Sequence, residues 1–356
     1  MNFKKLLFLV FLLPSILFAQ VDSTDIIVQN MMRQQKIVGL SLAVVKNGKT
    51  MVNKGYGFAN AEHKVPATSE TVFRLASISK QFFATAIMKL QEDGKLTTED
   101  YVHKYFPDAP ETWKPIQIKH LLSHTSGLKR EAPAYDNNKI QPDLAVIKSA
   151  YSLPLDYKTG EKYQYCNLGY FMLAEIIAQV SGMPWQEYMR KNLFEPAGMN
   201  NTYLTEFHPI IANRASGYTH RGDTLLNANV MVGIRPSGGF LSTSSDMIKW
   251  DEVVTREKDI LKKENWEKLW QPFIATSTKP GSTSFYGFGW MIDEYKGHKT
   301  ISHSGSNIGF KTFYSRFVSD KLSIVVLTNE NDANPSLIVK ALADYYFRNS
   351  GPARSK

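Results

Sequence analysis

Ser77-Ile78-Ser79-Lys80 sets a hydroxyl and an amine three residues apart at the head of an apolar helical pattern. Residues at that spacing share one face of a helix, so the amine can reach the hydroxyl. A lysine in a dry cleft gives up its charge readily, because burial can lower its pKa by up to roughly 3–5 units. The neutral amine can then take the serine proton and activate the oxygen as a nucleophile. The first helical turn helps, since it favours negative charge and leaves backbone N–H groups without intrahelical partners. Taken alone, Ser-x-x-Lys reads more simply as an N-cap serine and a solvated lysine. The chain carries the pattern twice, the second time as Ser126-Gly127-Leu128-Lys129, where no long apolar helix follows.

Two further stretches separate the first copy from the second. Tyr165-Cys166-Asn167 brings a phenol and a carboxamide just ahead of an apolar pattern starting at Leu168. His303-Ser304-Gly305 brings an imidazole and a glycine at the end of a strand pattern. A strand glycine is either a simple packing feature or a place where a substrate backbone approaches the sheet edge.

The order Ser-x-x-Lys, Tyr-x-Asn, His-x-Gly resembles that of the penicillin-recognising serine hydrolases, in their class C β-lactamase and D-Ala-D-Ala carboxypeptidase branch. Phe73-Arg74-Leu75-Ala76 before Ser77, Leu121 to Leu128, Pro196-Ala197-Gly198-Met199 and Gly238 to Thr243 are similar to other stretches of that family, and the resemblance spans about residues 25 to 348. It implies that Ser77 becomes acylated, that Lys80 and Tyr165 share the proton transfers, and that Asn167 bonds Lys80 and a substrate amide. It implies an oxyanion hole from the backbone N–H groups of Ser77 and Ser306, with His303 and Gly305 also binding substrate. Many β-lactamases of the family carry Lys where this chain has His303, while several D-peptidases carry His. That difference tilts the expectation toward a D-peptidase. It also gives the substrate carboxylate a partner that is only partly charged near neutral pH. No cofactor and no metal are implied.

Other constellations carry less. His120 and His124 are four apart, yet no Glu follows the first as in His-Glu-x-x-His and no third ligand is evident. Cys166 with a distant His would fit a cysteine hydrolase, but its place inside Tyr-x-Asn marks it as a small filler. No Gly-x-Ser-x-Gly elbow occurs, which argues against an α/β-hydrolase.

The elements that must position these groups are legible in outline. A helix is expected over residues 24–36, a hairpin over 39–58 turning at Asn47-Gly48, a helix from Ser77 to Glu92 stopping at Gly94, and another from Leu168 to Val180. Strands are expected at Tyr286–Ile292, Lys299–His303, Gly309–Val318 and Leu322–Asn329, then a helix from Pro335 to Arg348. Strand-rich segments therefore lie at both ends of the chain. The predicted fold is α/β (α+β): an antiparallel sheet flanked by helices, with a mostly helical inserted subdomain, β-lactamase/transpeptidase-like by resemblance. Residues 20–352 form the catalytic domain, the sheet part about 24–75 and 240–350 and the helical part about 77–238. The cleft between them is the expected site.

The chain has 356 residues, 43% apolar and 21% charged, enough for a large core, and a formal charge of +9. The basic residues are scattered, with no aromatic-and-basic platform for nucleic acid. Lys4 and Lys5, the apolar run Leu6–Phe18 and Ala19 have the layout of a secretory leader over residues 1–19. The run is shorter than the roughly 20 residues that span a bilayer, so no stable membrane anchor is expected after cleavage. The expected location is periplasmic or secreted. One cysteine cannot close an internal disulfide. The function expected is acyl hydrolysis of a small peptide, ester or β-lactam substrate. The alternative from another class is a penicillin-binding sensor that is acylated without turnover.

Overall fold

The opening hairpin joins Gly39–Lys46 (β1) to Lys49–Asn60 (β2). It turns where Asn47 and Gly48 take φ of 52° and 72°, the left-handed pair a two-residue turn demands. In the computed structural model, the structure describes residues 23–205, 209–229, 233, 235–277 and 284–349. The expected leader over residues 1–19 lies outside them.

Seven more strands complete the main sheet: Val65–Pro66 (β3), Ile274–Ala275 (β4), Phe285–Tyr286 (β5), Met291–Tyr295 (β6), His298–Asn307 (β7), Phe310–Phe317 (β8) and Leu322–Thr328 (β9). Their order is β3-β2-β1-β9-β8-β7-β6-β5-β4. Every neighbouring pair runs antiparallel. The two ends of the chain meet where β1 pairs with β9, Leu40 opposite Thr328 and Lys46 opposite Leu322. The strands at both edges are only two residues long.

β1 and β9 are apolar on both faces because both faces are covered. Leu40, Leu42, Val44, Ile324 and Val326 pack with the helices Ser23–Gln34 and Pro335–Asn349. The alternate residues Ala43, Val45, Val325 and Leu327 join the larger core on the other side. That sorting follows from the two-residue period of a strand. The larger core centres on the helix Lys80–Glu92, whose Phe82 lies edge-on to Phe194, Phe240 and Trp250 at 4.8–5.6 Å between ring centres. This helix ends as predicted: Gly94 has φ of 70°. Lys95 N–H reaches the Leu90 carbonyl and Gly94 N–H that of Gln91, the Schellman closure that glycine permits.

Two expectations are corrected, and one feature is added. The single strand at Tyr286–Ile292 is two, β5 and β6. Gly289 takes φ of 77° between them, and a side chain on Gly287 would lie 2.4 Å from the Leu269 carbonyl. The helix expected from Ser77 begins as a 3-10 turn over Ala76–Ser79 and becomes α-helical at Lys80. The middle of the chain also holds a hairpin, Tyr218–Arg221 with Thr224–Asn227, turning at Gly222 with φ of 62°. Its helices are Ile118–Leu122, Asp143–Lys148, Leu168–Ser181 and Trp185–Met189, set among long connections.

Candidate active site

A short strand, Phe73–Arg74, pairs with Phe240–Ser242 and delivers the chain to Ser77. Leu75 N–H bonds the Phe240 carbonyl, and Ser79 Oγ accepts from Phe240 N–H. Ala76 then takes φ of 49°, a left-handed conformation that costs a non-glycine residue on the order of 1 kcal/mol or more. This bend turns Ser77 out of the core. Ser77 is partly exposed while its neighbours Ala76 and Ile78 are buried.

Lys80, one turn on, is fully buried. Its Nζ lies 3.3 Å from Ser77 Oγ, 3.0 Å from Asn167 Oδ1 and 2.7 Å from the Ser237 carbonyl. Burial, with Arg235 and Arg130 nearby, holds its pKa well below the usual lysine value.

Tyr165 and Asn167 are held by the loop that precedes the helix Leu168–Ser181. Asn167 N–H bonds the Arg130 carbonyl, and Cys166 N–H bonds His124 Nδ1 at 3.1 Å. The Tyr165 ring lies on the His124 ring, 4.2 Å between centres. Its hydroxyl faces the Ser77 side chain, and desolvation holds the phenol above its ordinary pKa. Lys80 Nζ is 4.7 Å from the centre of the same ring. Hydroxyl, amine and the phenol ring therefore gather in one place.

The cleft that holds them has a volume of about 520 Å³, and Ser77, Tyr165, Asn167, His303 and Ser306 line it. β7 forms one wall. Its last pair with β6 is Ser302 opposite Met291. Beyond Ser302 only β8 pairs with it, so its other edge is open beside Ser77. Ser306 sits on that open stretch, its Oγ accepting from Lys311 Nζ at 2.7 Å.

His303 differs from expectation in its charge. His303 is buried, and its pKa is pushed down to about 3, first by burial and then by Lys80. The ring is neutral at physiological pH, so the partial charge expected for it is not there. Its Nδ1 stands 2.6 Å from the Ser304 carbonyl, which can only accept, so Nδ1 carries the proton. Nε2 then accepts from the Tyr286 hydroxyl at 2.9 Å. At Gly305 protein comes close, a constraint that holds whether or not substrate approaches the same strand. A side chain there would stand 2.1 Å from both the Leu75 carbonyl and Thr312 Oγ1. Thr312 donates to that same carbonyl at 2.9 Å, so this contact clamps the turn that presents Ser77.

His124 and Cys166 serve the frame. Cys166 donates its thiol to the Lys129 carbonyl, and burial pushes its pKa up to about 11, the reverse of a reactive thiol. His120 accepts from Gln117 N–H, and its ring is four residues from His124 without sharing a site. Among the described residues no three His, Cys, Asp or Glu side chains gather as a metal ion would require.

The sequence reading missed Arg130, Glu131, Arg235 and Ser237, all of which line the cleft. Glu131 accepts from Asn167 Nδ2 and from Arg235. One signal was present: Arg235 is a lone cation in the otherwise uncharged stretch from Val230 to Leu241.

Fold and geometry together define the class, a serine hydrolase built on the β-lactamase fold. Comparison with known proteins supplies the family. The model of the Beta-lactamase family matches residues 25–345, and the chain belongs to that family. A penicillin-binding protein of Bacillus subtilis is 30% identical over 318 residues, 82% of this chain and 68% of its own length. The octameric penicillin-binding protein homologue from Pyrococcus abyssi superposes with a TM-score of 0.81 at 29% identity, covering 93% of this chain and 78% of that one. D-amino acid amidase from Ochrobactrum anthropi, solved with D-phenylalanine, shares the fold at 21% identity and a TM-score of 0.81, covering 92% of this chain and 100% of its own. Among the described residues no helix is long and apolar enough to cross a membrane.

Proposed function

We propose that this chain is an exported acyl hydrolase that cleaves an amide next to a D-residue through an acyl-enzyme at Ser77. The observation that carries the reading is the buried Lys80 amine, 3.3 Å from Ser77 Oγ and held below its ordinary pKa. Two of its directions end on oxygens that only accept, Asn167 Oδ1 and the Ser237 carbonyl. An uncharged amine gives those two its N–H bonds and keeps its lone pair for the Ser77 proton.

Lys80 takes that proton as Ser77 Oγ bonds to the substrate carbonyl carbon. The backbone N–H groups of Ser77 and Ser306 receive the oxyanion, each such donor being worth on the order of 3 kcal/mol. Tyr165, whose pKa is raised rather than lowered, stays a phenol and acts as the proton donor. It passes a proton to the leaving nitrogen as the C–N bond breaks and draws its replacement from Lys80. Water then attacks the ester carbonyl, losing its proton along the same path while Ser77 Oγ regains one.

The relatives named penicillin-binding proteins support a penicillin-like amide as ligand, and the D-residue rests on the His303-Ser304-Gly305 resemblance. Export rests on the layout of residues 1–19. Turnover of a D-Ala-D-Ala peptide, a p-nitrophenyl ester and nitrocefin tests the reading. Peptide turnover supports it. Turnover of nitrocefin or ester alone makes the chain a β-lactamase or esterase of the same mechanism. A stable acyl-enzyme with none of the three makes it a sensor.

A further inference from the structure

Behind Lys80 the side chains close a ring. Lys80 Nζ donates to Asn167 Oδ1 and to the Ser237 carbonyl. Asn167 Nδ2 donates to Glu131 Oε1 at 2.5 Å. Arg235 Nη2 donates to the other Glu131 oxygen, and its Nε donates to Ser237 Oγ at 3.2 Å. Ser237 closes the circuit through its own backbone. The Tyr135 ring, 4.2 Å from the guanidinium, holds Arg235 from behind.

The ring decides which way a carboxamide faces. Asn167 must turn its oxygen to the N–H groups of Lys80 and its nitrogen to a carboxylate. Were the amide reversed, its N–H would meet the amine. The Lys80 lone pair would then be drawn to Asn167 and away from Ser77. The partner that forbids reversal is Glu131, and Arg235 fixes Glu131. Resting on the reading of Lys80 as the base, we infer that Glu131 and Arg235 are positioning residues whose ion pair sets the orientation of Asn167 and so keeps the Lys80 lone pair on Ser77.

Arg235 and Arg130 also disfavour the charged lysine, while Glu131 and the Cys166 sulfur favour it. The remaining groups around the amine are the Tyr165 and Tyr170 rings and two histidines, His124 and His303, both held neutral. The two members of the pair therefore pull Lys80 in opposite directions, which a passive structural bridge would not reveal but a pH profile does.

The experiment is the rate of Ser77 labelling by a fluorophosphonate probe on the full chain between pH 4 and 10, for the parent, Lys80→Ala, Glu131→Gln, Arg235→Gln, Arg235→Lys and the double Glu131→Gln/Arg235→Gln, with melting curves for each. The acid limb reports protonation of Lys80. Glu131→Gln is expected to move it to lower pH and Arg235→Gln to higher pH, each by about half a unit or more, with plateau rates down roughly 10- to 100-fold as the amide loses its orientation. The double variant falls between the two. Arg235→Lys keeps the charge and loses the fork, so its limb stays near that of the parent while its rate falls. Should Glu131→Gln fail to fold, the contrast between Arg235→Gln and Arg235→Lys decides. A Lys80-dependent parent rate with limbs that stay put, or that all move one way, overturns this inference alone. Equal labelling of the parent and Lys80→Ala overturns the reading of Lys80 as well.

Discussion

The Lys80 amine stands 3.3 Å from the Ser77 hydroxyl with every other direction around it occupied by an acceptor or an aromatic ring. The Tyr165 phenol faces the same hydroxyl, yet its pKa is shifted upward where that of Lys80 is shifted downward. Two titrating groups pushed apart in this way take opposite parts in proton transfer. On the proposed mechanism Lys80 is the base and Tyr165 the acid.

Tyr165→Phe separates those parts. A phenolate leaving group departs without a proton, whereas an amine needs one. Amide turnover is therefore expected to fall roughly 10²- to 10⁴-fold, with p-nitrophenyl ester turnover falling far less. Steady-state rates on both substrates check this, and an equal loss on both would move Tyr165 to the base position.

His303 contributes no titration near neutrality. Its pKa of about 3 lies below the ordinary histidine value, so the ring stays neutral from pH 5 upward and charges only as pH falls through the folded value. The unfolded ring takes its proton near pH 6.5, so this neutral burial costs stability as pH drops from there. Replacing His303 by Ala leaves the Tyr286 hydroxyl without its acceptor, an expected loss of about 1–3 kcal/mol. Denaturant unfolding measures that loss. A rate profile of the parent with an inflection near pH 6.5 that His303→Ala removes would contradict the assignment.

Gly305→Ala tests the clamp on the nucleophile turn. Its new Cβ would sit 2.1 Å from the Leu75 carbonyl and 3.2 Å from the Ala76 Cβ. The strand must move away, at a cost of about 1–3 kcal/mol or more, and Ser77 moves with Ala76. Lower melting temperature together with slower Ser77 labelling is expected. A stable variant with parent-like labelling would remove Gly305 from the argument.

With His303 neutral and Arg235 tied to Glu131, Arg130 is, among the described residues that line the cleft, the cation left to meet a ligand. Its side chain is 62% exposed, near Glu131 at 3.9 Å, and its guanidinium lies 5.2 Å from the centre of the Tyr165 ring. Arg130→Gln is expected to raise KM roughly tenfold for a D-Ala-D-Ala peptide with a free carboxylate, the scale of one charged hydrogen bond, and to leave its C-terminal amide unaffected. Equal effects on both peptides would show that Arg130 does not read the carboxylate.

The groups legible in the sequence were those whose partners lie close in the chain or in a recognisable motif. Ser77 and Lys80 announce each other by helical spacing, and Tyr165, Asn167 and His303 line the same cleft. The β1–β2 hairpin was visible because Asn47-Gly48 admits only a tight turn. Glu131 and Arg235 were not legible, since 104 residues separate the two ends of that ion pair and only the fold brings them together. The true constraint on Gly305 was hidden for the same reason: the carbonyl that excludes a side chain belongs to Leu75, on the far side of the molecule in sequence. The charge of His303 depended on burial, which only the fold decides.

Intact mass spectrometry with peptide mapping, after incubation with a labelled penicillin and with a fluorophosphonate, probes the centre of this account. Both adducts should map to Ser77, vanish in Ser77→Ala and form at least about 10²-fold more slowly in Lys80→Ala. Adducts on another residue, or formation in Lys80→Ala at the parent rate, would contradict it.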